Sequence, residues 1–247
     1  MAKKKIYINP GHSNTDPGAV GYETERKLNV KVSNYQKEYL LANYECEVKM
    51  NPGTMKSLTT ISNDANKWGA DLLVSNHFNA GGGDGWEGHV YSEKRRDLGK
   101  MFEKYVKAIG QNSRGVKIRS DLGILRLTNC PAILNEGAFV DTWKDIKDWN
   151  DDAELKELGI AYAKATADYL NLPKKVKKTS STKNSDDDFL VKVTATALNI
   201  RSGAGTNYPV VGVITDKGTY TIVEKKGNWG KLKSGKGWIH LDYTKKA

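Results

Sequence analysis

Thiols, phenylalanines and long apolar runs are all scarce in this chain. Its 247 residues include two cysteines, four phenylalanines, four histidines and six prolines. Cys46 and Cys130 sit in or beside apolar segments without CxxC spacing, which points to buried thiols rather than a disulfide or a cysteine zinc site. No stretch approaches the ~18 apolar residues of a membrane span. The opening Lys3-Lys4-Lys5 is followed only by Ile6-Tyr7-Ile8 before Asn9-Pro10, too short for a signal-peptide core. The expectation is therefore synthesis in the cytoplasm without a signal peptide, and no membrane insertion. A hydrophobic fraction of 38% is low for one large α/β domain, so two domains are expected.

Charge of either sign is nearly balanced until the end of the chain. The net is +1 over residues 1–172, +2 over 173–189 and +7 over 190–247. A near-neutral front joined to a basic tail suggests a core domain plus a module that meets a polyanion. The tail's positive charge is spread over strand-like segments without an RNA-binding signature, so nucleic acid is not an expected partner. Residues 173–189 run from a Lys block through Ser and Thr to an Asp block with almost nothing to bury, and read as a flexible linker.

Within 1–172, strands and helices alternate. Strands are expected at 5–8, 46–50, 72–75, 85–92 and 131–135, with helices at 25–41, 54–68, 97–110 and 151–170. This alternation implies an α/β fold, a mostly parallel sheet with helices on both faces.

Two histidines follow strand-like runs. Asn9-Pro10-Gly11 breaks the first strand just before His12, and the run from Asp71 to Ser75 leads into Asn76-His77 ahead of Gly81-Gly82-Gly83. Ligand crevices of open α/β sheets lie at the carboxyl ends of strands. Glu25 opens the first long helix, and Glu136 follows Ala132-Ile133-Leu134 closely. His12, Glu25 and His77 offer two nitrogens and one oxygen, the ligand set of a hydrolytic zinc site (Zn2+) with a position open for water, leaving Glu136 as general base. His89 and His240 read as ordinary satisfied polar residues.

Taken in order, Ile8-Asn9-Pro10-Gly11-His12, Asp16-Pro17-Gly18-Ala19-Val20-Gly21, Glu25-Arg26-Lys27-Leu28-Asn29, Ser75-Asn76-His77-Phe78-Asn79-Ala80 and Pro131-Ala132-Ile133-Leu134-Asn135-Glu136 resemble the motif set of the zinc-dependent N-acetylmuramoyl-L-alanine amidases of the type-3 family. The resemblance spans residues 3–172. It implies a three-layer αβα fold and cleavage of the amide between the lactyl group of N-acetylmuramic acid and L-alanine in peptidoglycan. His12, Glu25 and His77 fall on the family's zinc-ligand positions and Glu136 on its catalytic glutamate. Choosing Glu25 over Glu23 rests on the register of Leu28-Asn29. Ser13-Asn14 replace two usual glycines, and Gly137 comes one position early; neither change removes a ligand.

Residues 190–247 differ in kind. The stretch from Ala195 to Gly212, with Trp229-Gly230-Lys231-Leu232 and Gly237-Trp238-Ile239, resembles bacterial SH3-like domains, and short Val/Ile/Thr strands with frequent glycines also suggest a small all-β barrel. In that family such modules tether enzymes to the cell wall. Tyr208, Trp229 and Trp238 are the candidate wall-binding residues, although small barrels also fill their cores with aromatics.

The implied whole is a peptidoglycan hydrolase of the endolysin or autolysin type, with peptidoglycan and associated cell-wall polymers as partners, reaching the wall through a permeabilised membrane. Two readings compete with it. An inert wall-binding protein would carry no metal, and a zinc peptidase cutting within the stem peptide would release a different amine.

Overall fold

The computed structural model describes residues 2–55, 57–175 and 188–247. These fall into two compact units, one on each side of the chain's Lys- and Asp-rich middle. Residues 176–187, most of the expected linker, lie outside the described residues. Its first residues are tied to the first unit: Glu45 N donates to Pro173 O at 2.8 Å and Lys175 N to Asn43 O at 2.8 Å.

In chain order the first unit comprises β1 (Lys4–Pro10), α1 (Glu25–Asn43), β2 (Cys46–Met50), α2 (Leu58–Trp68), β3 (Leu72–Asn79), β4 (Trp86–Val90), α3 (Arg96–Ala108), β5 (Ser113–Ile118), α4 (Gly123–Arg126), β6 (Ala132–Phe139), α5 (Trp143–Ile146) and α6 (Asp152–Leu170). The sheet order is β2-β1-β3-β6-β4-β5, parallel at every pairing except β4 against β6. The reversal has a simple origin. A parallel return needs a crossover of a dozen or more residues, and only residues 80–85 separate β3 from β4.

The two faces of the sheet are covered unequally. On one face Leu28, Val32 and Leu40 of α1, Leu98 and Phe102 of α3, and Leu155, Leu158 and Tyr162 of α6 pack over Ile6, Ile8, Val74 and Ile133. On the other, Ile61 and Ala65 of α2 with Ile124 and Leu125 of α4 cover Tyr7, Leu73, Ala132 and Leu134. That second layer is short. On this face a cleft remains, lined by Leu58 and Ile61 of α2 and by Ser75 and His77 of β3.

Several elements depart from the sequence expectations. β3 runs to Asn79 and β6 to Phe139, so His77 and Glu136 stand within strands rather than after them. The polar residues that suggested a strand end are instead satisfied inside it: Asn76 Nδ2 donates to Ser33 Oγ at 3.0 Å and to Gln36 Oε1 at 2.8 Å. Helix α2 starts at Leu58 because the Ser57 side chain caps it, accepting from Thr60 N at 3.1 Å. Edge strand β5 and the short helices α4 and α5 had no clear signal. Both cysteines are free; Cys46 is buried with Sγ directed at Leu40 O, whereas Cys130 is only half-buried rather than buried as expected, and its partial burial pushes the thiol up to about 11.

The second unit is all antiparallel. Strands β7 (Phe189–Val193), β8 (Leu198–Arg201), β9 (Val210–Ile214), β10 (Thr219–Lys226), β11 (Trp229–Leu232), β12 (Trp238–His240) and β13 (Thr244–Lys246) form one sheet in the order β13-β7-β10-β11-β12-β8-β9. It is curled around one core that includes Val191, Val193, Ile200, Ile222, Leu232 and Ile239. No described helix is long and apolar enough to cross a membrane.

Candidate active site

Three elements deliver the first cluster. His12 follows β1 in a left-handed conformation, φ 66°, which is uncommon for a residue with a Cβ and turns its ring back toward the sheet. Glu25 opens α1 and is 4% exposed, and His77 points from β3. Glu25 lies between the two imidazoles, with Oε2 2.8 Å from His12 Nε2 and Oε1 2.8 Å from His77 Nδ1. One donor atom from each of the three residues falls within 4.8 Å of the other two.

The surroundings fix this cluster. Asp16 Oδ2 lies 2.8 Å from His12 Nδ1, and Ala19 N donates to Glu25 Oε2 at 2.9 Å. Arg26 Nη1 reaches the carbonyls of Pro10 and Gly11 at 2.9 and 3.2 Å, holding the turn that carries His12. Glycine is required at position 11, where an added Cβ would stand 2.2 Å from the His77 ring. The hydrogen bond to Glu25, opposed by burial and helped by Asp16, raises the His12 imidazole to about 9. Burial pushes the Glu25 carboxyl upward, but hydrogen bonds from His12 and His77 overcome that and hold it far below the usual carboxylate range.

Glu136 stands on β6 directly across from His77 on β3, on the same face of the sheet. Its Oε2 is buried and has no hydrogen-bond partner. Burial, reinforced by the Glu25 and Glu87 carboxylates, raises Glu136 to about 8. An unpaired buried carboxyl oxygen is costly, and a carboxyl whose value lies close to neutral pH can both take up and release a proton there. A cleft of about 450 Å³ opens beside the cluster, with His12, Asp16 and His77 on one side and Met55, Leu58 and Ile61 on the other.

Comparison with known proteins places the chain in a family. Residues 6–168 match the family described as N-acetylmuramoyl-L-alanine amidase. The chain belongs to that family. Residues 196–245 match the bacterial SH3 domain. The chain is 33% identical over 180 residues to the N-acetylmuramoyl-L-alanine amidase CwlM of Bacillus licheniformis, covering 69% of this chain and 70% of that one. It is 31% identical over 185 residues to the endolysin of Bacillus phage SPP1, covering 70% of this chain and 68% of that one. Among solved structures, the catalytic domain of CwlV, an N-acetylmuramoyl-L-alanine amidase from Bacillus (Paenibacillus) polymyxa var. colistinus, shares the fold with a TM-score of 0.64 at 24% identity, covering 68% of this chain and 99% of that one.

Other expected residues stand apart. His89 is 5% exposed with its Nε2 3.5 Å from Glu87 Oε2, but its Nδ1 has no partner, so it is not the fully satisfied residue expected from its place in a strand. In the second unit, Trp229 lines a cavity of about 400 Å³ together with His240 and Tyr243. The Trp229 and His240 ring centroids are 4.9 Å apart, and buried His240 Nδ1 also lacks a hydrogen-bond partner. Tyr208 instead lies over Gly203, and Trp238 carries Lys231 Nζ 5.8 Å above its ring; neither lines that cavity. Sequence reasoning passed over Asp16, Glu87 and Tyr243. The four-residue spacing from His12 to Asp16 was the one available signal, because the other two gain meaning only from their strand neighbours.

Proposed function

We propose that the first unit hydrolyses the amide between the lactyl group of N-acetylmuramic acid and L-alanine in peptidoglycan, with zinc held by His12, Glu25 and His77 and the proton moved by Glu136. The observation that carries this reading is a three-donor cluster facing a buried carboxyl with an unpartnered oxygen. Two imidazoles and one carboxylate are a fitting donor set for zinc, leaving a position for water or substrate. When bound there, zinc supplies Lewis acidity to the scissile carbonyl and acidifies water. Asp16, on the far nitrogen of His12, fixes that ring's tautomer and orientation. Glu136 accepts the proton of the attacking water and returns it to the leaving alanine nitrogen, so one water is consumed and one amine and one carboxylic acid are released.

The second unit, with its charge of +7 over residues 190–247, serves to hold the enzyme on anionic wall polymers, and Trp229 with its cavity is the strongest of the three aromatic candidates. The likeness to a phage endolysin favours action on the wall after release from the cytoplasm.

Digestion of purified peptidoglycan tests the reaction: new L-alanine amino groups should appear without new reducing sugars, and chelation should abolish them. Another released amine would mean a peptidase. Glu136→Gln should keep its zinc while turnover falls by ~10²–10⁴-fold. Loss of zinc from that variant would make Glu136 a ligand.

A further inference from the structure

The face that carries Glu136 continues past it onto two more strands. Glu87 of β4 is the direct cross-strand neighbour of Glu136, and it is 4% exposed. On edge strand β5 the register slips: Trp86 pairs with Ser113, yet Gly88 pairs with Val116, so Arg114 and Gly115 together oppose Glu87. Gly115 takes φ 89°, which glycine adopts without strain. Such a bulge re-aims a side chain. Here it brings Arg114 Nε to 2.5 Å and Lys117 Nζ to 2.6 Å from the same oxygen, Glu87 Oε1.

The charges at this point do not cancel. One buried carboxylate takes both cations directly; Asp84, a further carboxylate that feels Arg114, is paired with Lys144 at 2.8 Å, and the neighbouring Arg119 is committed to Asp121 at 2.9 and 2.8 Å. Arg114 spends only its Nε on Glu87; among the described residues no acceptor takes its two Nη groups. Its guanidinium is also held in place by the Phe139 ring, whose centroid lies 5.3 Å away. The Arg114 side chain remains 44% exposed. An arginine anchored by one nitrogen and one aromatic face, with its fork open, is a preorganised carboxylate receptor.

We propose that Arg114, supported by Glu87 and Phe139, binds a free carboxylate of the stem peptide during cleavage and is a specificity-determining residue. This rests on the amidase reading above. β5 lies two strand spacings from β6, or roughly 10 Å, and an extended peptide advances ~3.3 Å per residue. The carboxylate that reaches Arg114 from a scissile amide at Glu136 is therefore on the second or third residue of the released peptide. The acyl side cannot supply it, because the lactyl carboxyl is consumed in the amide itself.

The test uses the zinc-loaded full chain at low ionic strength and two soluble substrates: a muramoyl-tripeptide with free carboxylates on its second and third residues, and the same compound with both as carboxamides. The wild type should favour the acid by about 3- to 10-fold in kcat/KM, a charge-assisted hydrogen bond discounted for a partly exposed site. That preference should collapse toward one in Arg114→Gln and return in part in Arg114→Lys, with zinc content unchanged. Equal cleavage of both substrates by the wild type overturns the proposal even if the variant fails to fold. Equal loss on both substrates in Arg114→Gln overturns it as well. If neither substrate is cleaved, the amidase reading fails on its own. In that event calorimetric binding of the two free tripeptides decides this proposal, the acid binding more tightly if it holds and both binding equally if it fails.

Discussion

At the scale of single residues, His89 couples the first unit's stability to pH. Burial lowers its imidazole to about 4, partly countered by Glu87, with Arg119 and Lys117 adding to the depression. The ordinary value is near 6.5, so between these limits the unfolded chain binds a proton that the folded chain refuses, and folding stability falls as pH drops from 6.5 to 4. The full window is worth on the order of 3 kcal/mol. Glu136, raised to about 8, acts in the opposite sense in wild type and variant alike, so the test is the difference. Between pH 7, 5.5 and 4.5 the urea midpoint of the wild type should fall relative to that of His89→Gln, and parallel curves would remove His89 from the account. The sequence made His12 and His77 conspicuous because turn-forming residues and short strands frame them. It gave no warning of His89's unpaired nitrogen or of Arg114's aim, because each depends on which strand lies alongside.

Elements tell a similar story. Apolar periodicity and breakers were sufficient to locate most strands and the long helices. β5 escaped because an edge strand with a bulge and half-exposed side chains has no clean alternation, and β3 and β6 looked shorter than they are because buried amide networks permit Asn and Glu inside a strand. The thin layer formed by α2 and α4 matters most to the site. Ser57 caps α2, and the helix's first turn contributes Leu58 and Ile61 to the cleft wall. Ser57→Ala should cost about 1 kcal/mol in urea unfolding. Zinc content should not change, since no ligand comes from α2. A variant with normal stability would show that packing rather than the cap fixes the start of this helix.

For the molecule as a whole, the proposed division of labour between a near-neutral unit and a basic one can be tested by separating them. A chain ending at residue 175 should cleave soluble muropeptide as the full chain does, yet act more slowly on intact walls at low enzyme concentration, because tethering raises local substrate concentration without altering the chemistry. Residues 188–247 alone should sediment with purified walls, and less so as salt rises. Sedimentation insensitive to salt would transfer the credit from charge to the cavity around Trp229. The two cysteines bear on the same whole-molecule question from another side. Disulfide exchange and oxidation proceed through the thiolate, and burial raises both Cys46 and Cys130 above their ordinary value. Neither sulfur is poised to react near neutral pH. The fold therefore contains no covalent cross-link whose formation would depend on the redox state of the medium.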